Sequence, residues 1–120
     1  MATTEELVDR EDVKTLLVEA AQDPRNVGKR FRPVDTPAGL IILKSPSAPQ
    51  WSITMAAMWD DDKGVASRAM RGLVQSLVVY PGPDEVKRIS TEWAGIWDNK
   101  DLAKAARILA GHETDAHAKS

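Results

Sequence analysis

Proline and glycine punctuate this chain so often that it can only fold as a set of short elements. Asp23-Pro24, Asp35-Thr36-Pro37-Ala38-Gly39, Ser45-Pro46-Ser47-Ala48-Pro49, Asp60-Asp61-Asp62-Lys63-Gly64 and Tyr80-Pro81-Gly82-Pro83 cut it into pieces. Proline lacks an amide donor and disfavours helix at the residue before it, while glycine supplies turn conformations closed to other residues. The periodicity of each piece then selects its structure.

Between Arg10 and Gln22, Val13, Leu16, Leu17 and Ala20 recur at helical spacing. Asp9 is the expected N-cap, with Glu11 and Asp12 near the positive end of the dipole. Asp23-Pro24 ends that helix. Phe31 and Val34 before the Pro37–Gly39 turn, and Leu40-Ile41-Ile42-Leu43 after it, predict a β-hairpin from about Lys29 to Lys44. Pro33 places the first arm at a sheet edge, with Lys29, Arg30 and Arg32 largely solvated.

A serine cap with proline in the first turn predicts a helix after Ser45-Pro46-Ser47-Ala48-Pro49, interrupted at Asp60–Gly64. It resumes with Val65, Ala69, Met70, Leu73, Val74, Leu77 and Val78 on one face, and Ser67, Arg68, Arg71 and Gln75 on the other. Pro83, Asp84 and Glu85 open a helix whose apolar face is Val86, Ile89, Trp93, Ile96 and Trp97. Asp98 or Asn99 starts a last helix with Leu102, Ala105, Ala106 and Leu109, and Gly111 suits its C′ position. The expected fold is mostly α, of the α+β class. It has four to five helices and one N-terminal-half β-hairpin, in a single domain over 1–111 with a flexible polar tail over 112–120. The expected core is Leu16, Leu17, Ile42, Val65, Leu73, Leu77, Ile89 and Leu109.

Composition narrows the function. A formal net charge of −2 gives no field for phosphate, so nucleic acid is not an expected partner. Without cysteine, thiolate catalysis and cysteine metal sites are ruled out. The acidic start, Met1-Ala2-Thr3-Thr4-Glu5-Glu6, reads as no signal peptide, and no apolar stretch approaches the roughly 20 residues that span a bilayer. The expected setting is the cytoplasm, with no membrane partner.

Each candidate for chemistry lacks a necessary part. Asp60-Asp61-Asp62-Lys63-Gly64 begins like a calcium loop, but Arg71 occupies the position where a bidentate glutamate should close it. His112 and His117 lack the further ligands that a zinc site needs, and neither suits a serine triad. Gly28-Lys29 has no second glycine at phosphate-loop spacing. Glu5, Glu6, Glu11 and Asp12 fall at a helix N-terminus, where acids are stabilised without catalysis. No enzyme and no cofactor is expected.

The aromatics point towards binding. Trp51, Trp59, Trp93 and Trp97 stand beside a single Phe and a single Tyr. Aromatics at helical spacing usually pack inward. The alternative is that Trp51, Met55, Met58 and Trp59 form an adaptable partner-binding surface, since tryptophan anchors dominate hot spots and methionine tolerates varied partners.

From Gly28 to Gly111 the chain resembles the small tail assembly chaperones of tailed bacteriophages and prophages. The residues carrying the resemblance are Gly28-Lys29, Leu40-Ile41-Ile42-Leu43-Lys44, Pro46-Ser47 through Trp51, and Leu73-Val74 through Val78-Val79-Tyr80-Pro81. Pro83-Asp84-Glu85-Val86 and Ile108-Leu109-Ala110-Gly111 complete it, while Pro33 and Pro49 depart from the family pattern. The resemblance implies a non-enzymatic protein in the bacterial host cytoplasm that binds the tape measure protein during tail assembly. Two other roles remain open: a structural tail or head-completion subunit of the virion, or a small phage-encoded inhibitor of a host defence enzyme.

Overall fold

The computed structural model describes residues 2–114. They form six helices and three strands: α1 (Thr4–Val8), α2 (Glu11–Gln22), β1 (Phe31–Thr36), β2 (Gly39–Lys44), α3 (Ala48–Met58), α4 (Lys63–Ser76), β3 (Val78–Tyr80), α5 (Pro83–Glu92) and α6 (Lys100–Leu109). Two 3₁₀ turns, Pro24–Asn26 and Ile96–Asp98, join neighbouring helices and strands. The mainly helical α+β class is as the periodicities imply, and so is the hairpin.

The hairpin is antiparallel, with Phe31 opposite Lys44 and Thr36 opposite Gly39. Its two-residue loop, Pro37-Ala38, closes on Gly39 at φ 109°, a conformation that a side chain would strain. The Thr36 hydroxyl donates to the Gly39 carbonyl at 2.7 Å and accepts from the Ala38 amide, which locks the turn. Sheet order is β1-β2-β3, so Pro33 lies on an edge strand, where a missing amide is tolerated.

Central β2 is buried on both faces. Ile41, Ile42 and Leu43 are all inaccessible, and such a strand reads as an unbroken apolar run. Alternation sends Ile41 and Leu43 to one side, where they join Val34, Leu73, Val74, Leu77, Leu102, Ala105, Ala106 and Leu109 in the main core. Ile42 and Pro33 point to the other side. Leu7 of α1 and Val13 of α2, both buried, lie outside that main core, and the Ala2 amide donates to Asp35 at 2.8 Å. The sheet is thus the middle of three layers, with α1 and α2 on one face and α4 and α6 on the other.

Local chemistry explains the helix ends. Ser47 and Gln50 make a reciprocal capping box at the start of α3. Asp62 caps α4, and Asn99 caps α6 by accepting from the amides of Asp101 and Leu102. At the far end of α6, Gly111 adopts φ +79° and donates to Ile108, while the His112 amide reaches the Arg107 carbonyl. The Arg30 guanidinium donates to the Leu109 carbonyl, tying the hairpin to the negative end of α6. Arg30 is therefore more than a solvated charge.

Several sequence expectations need correction. Asp9 does not cap α2: it is the C-cap of the short helix α1, and Arg10 is the N-cap without a side-chain bond. Val78 leaves the α4 face and enters β3, where it pairs with Leu43. The helix opened by Pro83 stops at Glu92, and Ile96 and Trp97 are buried from the 3₁₀ turn that follows. Leu16, Leu17 and Val65 are only half-buried, because α2 and the start of α4 lie on the margins of the core. Of the expected tail over 112–120, residues 112–114 are described, and Glu113 accepts from Arg107 at 2.7 Å. Residues 115–120, His117 among them, lie outside the described residues.

Candidate functional site

The four tryptophans separate into different environments. Trp97 is the core residue, with its indole N–H donating to the Ser90 hydroxyl at 2.9 Å, so its one polar atom is satisfied. Trp51 is half-buried against the main core, its ring tilted on that of His112 at 5.5 Å between centroids. Trp93, the C-cap of α5, is partly exposed. Trp59, the C-cap of α3, is 86% exposed.

The expected surface of Trp51, Met55, Met58 and Trp59 is therefore split. Trp51 and Met55 lie on the flank that turns toward the body of the protein, and both are half-buried. Met58 is 40% exposed at the rim. Trp59 stands clear of the body. With successive residues about 100° apart, Trp59 shares the outer arc with Pro49, Ser52, Ile53 and Ala56. All of those are exposed, Ile53 to 72%.

Ile53 and Ala56 were not singled out by sequence reasoning, and the signal for them was present. No residue of α3 carries a charge. An ordinary surface helix sets a polar stripe against its apolar one, and a helix apolar all round is usually buried. Helix α3 is uncharged all round, with Gln50, Ser52 and Thr54 its polar residues, yet packs only one side, with Thr54 its single fully buried position and α4 its main neighbour. The outer side is left as an uncharged strip about 16 Å long.

Just past Trp59, Asp60, Asp61 and Asp62 form the acidic turn. Their carboxylates fold back on the turn itself: Asp60 accepts from the Asp62 amide and Asp62 from the Gly64 amide, each at 2.8 Å. These contacts account for Asp60 and Asp62 as local turn and cap residues, and among the described residues none of the three makes an ion pair. Among the described residues no group of three or more His, Asp or Glu converges on a common point.

Several other titratable groups lie at helix starts or in local ion pairs. Glu5 and Glu6 sit in the first turn of α1, and Glu11 and Asp12 in that of α2. The Arg10 guanidinium bonds Asp12 at 2.6 Å and holds its carboxyl below the ordinary range. Arg25 bonds Asp23 at 2.7 Å, and with help from its own backbone amide it pulls the Asp23 carboxyl down to about 2. A recess of about 620 Å³ lies between α2, β3 and α5, lined by Leu16, Ala20, Lys44, Val79, Tyr80 and Lys87 among others. Asp23 is at its margin, and a carboxylate with so low a pKa stays ionised near neutral pH and makes a poor proton shuttle.

Among the described residues no helix is long and apolar enough to cross a membrane. No protein-family model, curated protein or solved structure matches the chain.

Proposed function

We propose that this chain is a non-catalytic binding protein that docks a protein partner on the outer strip of α3. The observation that carries the reading is Trp59, a large aromatic almost fully in water on a helix with no charged residue. Exposed aromatic anchors flanked by small and aliphatic residues are the composition of binding hot spots. Ile53, Ala56, Met58 and Trp59 are the contact residues under this reading, with Trp51 and Met55 supporting the helix from its inner flank.

The motif resemblance is what suggests a partner. It suggests a tail assembly chaperone that holds the long helical tape measure protein in solution until tube subunits surround it. A helix that exposes apolar residues suits that task, because an amphipathic partner helix can lay its own apolar face against it.

Co-expression with the tape measure protein of the same tail gene cluster tests both layers. The wild-type chain is expected to keep that protein soluble and to co-purify with it, and Trp59→Ala to lose both properties while remaining folded. The chain is also expected to be missing from purified particles. Stoichiometric presence in mature virions would replace the chaperone reading with a structural subunit, and unaltered co-purification of Trp59→Ala would move the docking site elsewhere.

A further inference from the structure

The α3 strip has one charged boundary, and that boundary restricts what can cover it. At its N-terminal end the flanking residues are Ser45, Pro46, Ser47, Ala48 and Pro49, none of them charged. At its C-terminal end stand Asp60, Asp61 and Asp62, all exposed. Acids at this end of α3 add to the negative pole of its dipole, which cations would normally offset, and no basic residue occupies its last turn. Asp62 has a separate reason to be there as the cap of α4, and Asp60 braces the turn. Asp61 has no such reason.

We infer that the α3 strip takes an amphipathic helix carrying lysine or arginine at one end, seated with that end against Asp60, Asp61 and Asp62. The inference rests on the α3 docking reading and adds the partner's charge and register to it. Apolar residues of the partner at i, i+3 or i+4, and i+7 would cover Ile53, Ala56 and Trp59 over about two turns. Its cations would meet Asp60 and Asp61, which make no ion pair among the described residues, and the Asp62 carboxylate, which has the Arg68 guanidinium nearby across Gly64.

The same charges argue against other occupants. An anionic lipid surface would be repelled by three aspartates beside a strip with no basic residue. A second copy packed antiparallel would set each acidic turn against the uncharged Ser45–Pro49 segment. Packed parallel, it would bring two acidic turns together, which is unfavourable.

Two labelled helical peptides test this. Each is roughly 18 residues long, enough for appreciable helix. They share one leucine and alanine face and differ only in bearing three lysines or three glutamates at one end. Fluorescence anisotropy against the full chain is expected to show the lysine peptide binding about tenfold more tightly at low salt. That advantage should fall to about threefold or less in the Asp60→Asn/Asp61→Asn variant, which keeps only Asp62, and shrink as salt rises. Trp59→Ala should weaken both peptides. Asparagine keeps the acceptor that Asp60 supplies to the turn, so the double variant is expected to stay folded, which circular dichroism checks.

Equal binding of the two peptides, still sensitive to Trp59→Ala, would overturn the charge selection and leave the docking reading standing. Binding unaffected by Trp59→Ala would overturn the docking reading itself. Failure of both peptides to bind at millimolar concentration would overturn the inference. So would self-association, seen by light scattering, that Trp59→Ala abolishes, because the strip would then belong to a second copy.

Discussion

Helices α3 and α6 are nearly equal in length and are both capped by side chains, yet they distribute their residues in opposite ways. Helix α6 buries Leu102, Ala105, Ala106 and Leu109 and turns Lys100, Asp101 and Lys104 to water. Helix α3 carries no charge on any face, and its outer arc of Pro49, Ile53, Ala56 and Trp59 is exposed. One is amphipathic because the fold needs a single side of it. The other keeps uncharged and apolar residues on a surface that the fold leaves uncovered, and under the proposed reading that surface is where a partner docks. The caps tell where each helix begins, and the composition of its outer face tells whether the fold alone accounts for it.

The contrast can be broken by substitution. Leu102→Ala, which empties a site with no solvent exposure in the main core, is expected to destabilise by about 3 kcal/mol in urea unfolding. A loss below about 1 kcal/mol would mean that α6 is not the structural helix described. Capping comes next. Asn99→Ala and Ser47→Ala each remove a side-chain acceptor from helix amides and should each cost about 1 kcal/mol. Should Ser47→Ala cost nothing while Asn99→Ala costs the full amount, α3 would be held by its packing on α4 alone.

Trp59→Ala sharpens the comparison from the other side. With the indole almost wholly in water, its removal should change stability by less than about 0.5 kcal/mol, although it truncates the largest side chain of the region. A fall in melting temperature as large as that of Leu102→Ala would show that Trp59 is a packing residue after all.

The smallest effect concerns pH. The Asp23 carboxyl, held down to about 2 chiefly by the Arg25 side chain, accepts from the Arg25 amide at 2.9 Å. A depressed carboxyl pKa contributes stability that is present above its ordinary value near about 3.9 and lost as pH falls through the folded value. Amide exchange at Arg25 should therefore accelerate as pH drops from about 4 towards 2, after correction for intrinsic rates. Arg25→Gln should bring the same change at a higher pH.

The features legible in the sequence were those whose cause is local. Pro37-Ala38-Gly39 specified the hairpin turn, Ser47 and Gly111 marked their helix ends, and Ile89, Leu73, Leu77 and Leu109 followed from helical spacing. Strand β3 was not legible, because Val78 continues the apolar period of α4. Its pairing depends on Leu43, far away in the chain, and a three-residue strand carries little signal of its own. The helix broken after Glu92 was hidden for a related reason: Ile96 and Trp97 keep the helical spacing from Val86 and Ile89, yet reach the core from a 3₁₀ turn. At the candidate site, spacing could group Trp51, Met55, Met58 and Trp59, but periodicity cannot say which side of an uncharged, weakly patterned helix is covered. Ile53 lay outside the group for that reason.

The placement of α6 bears on the order in which the chain can be completed during synthesis. The hairpin is finished at Lys44, yet Ile41 and Leu43 are covered by residues as late as Leu102 and Leu109, and Arg30 finds its carbonyl partner at Leu109. At about 5–20 residues per second, the ribosome needs several seconds to deliver that lid. Over that interval Leu73 and Val74 of α4, with Leu77 at its C-cap, are the first residues of the main core after the hairpin available to cover Ile41 and Leu43, and the cover from α6 is missing. Translation pace across the α3 to α5 region is therefore expected to influence yield, since slowing it lengthens the time in which the core lacks its last helix.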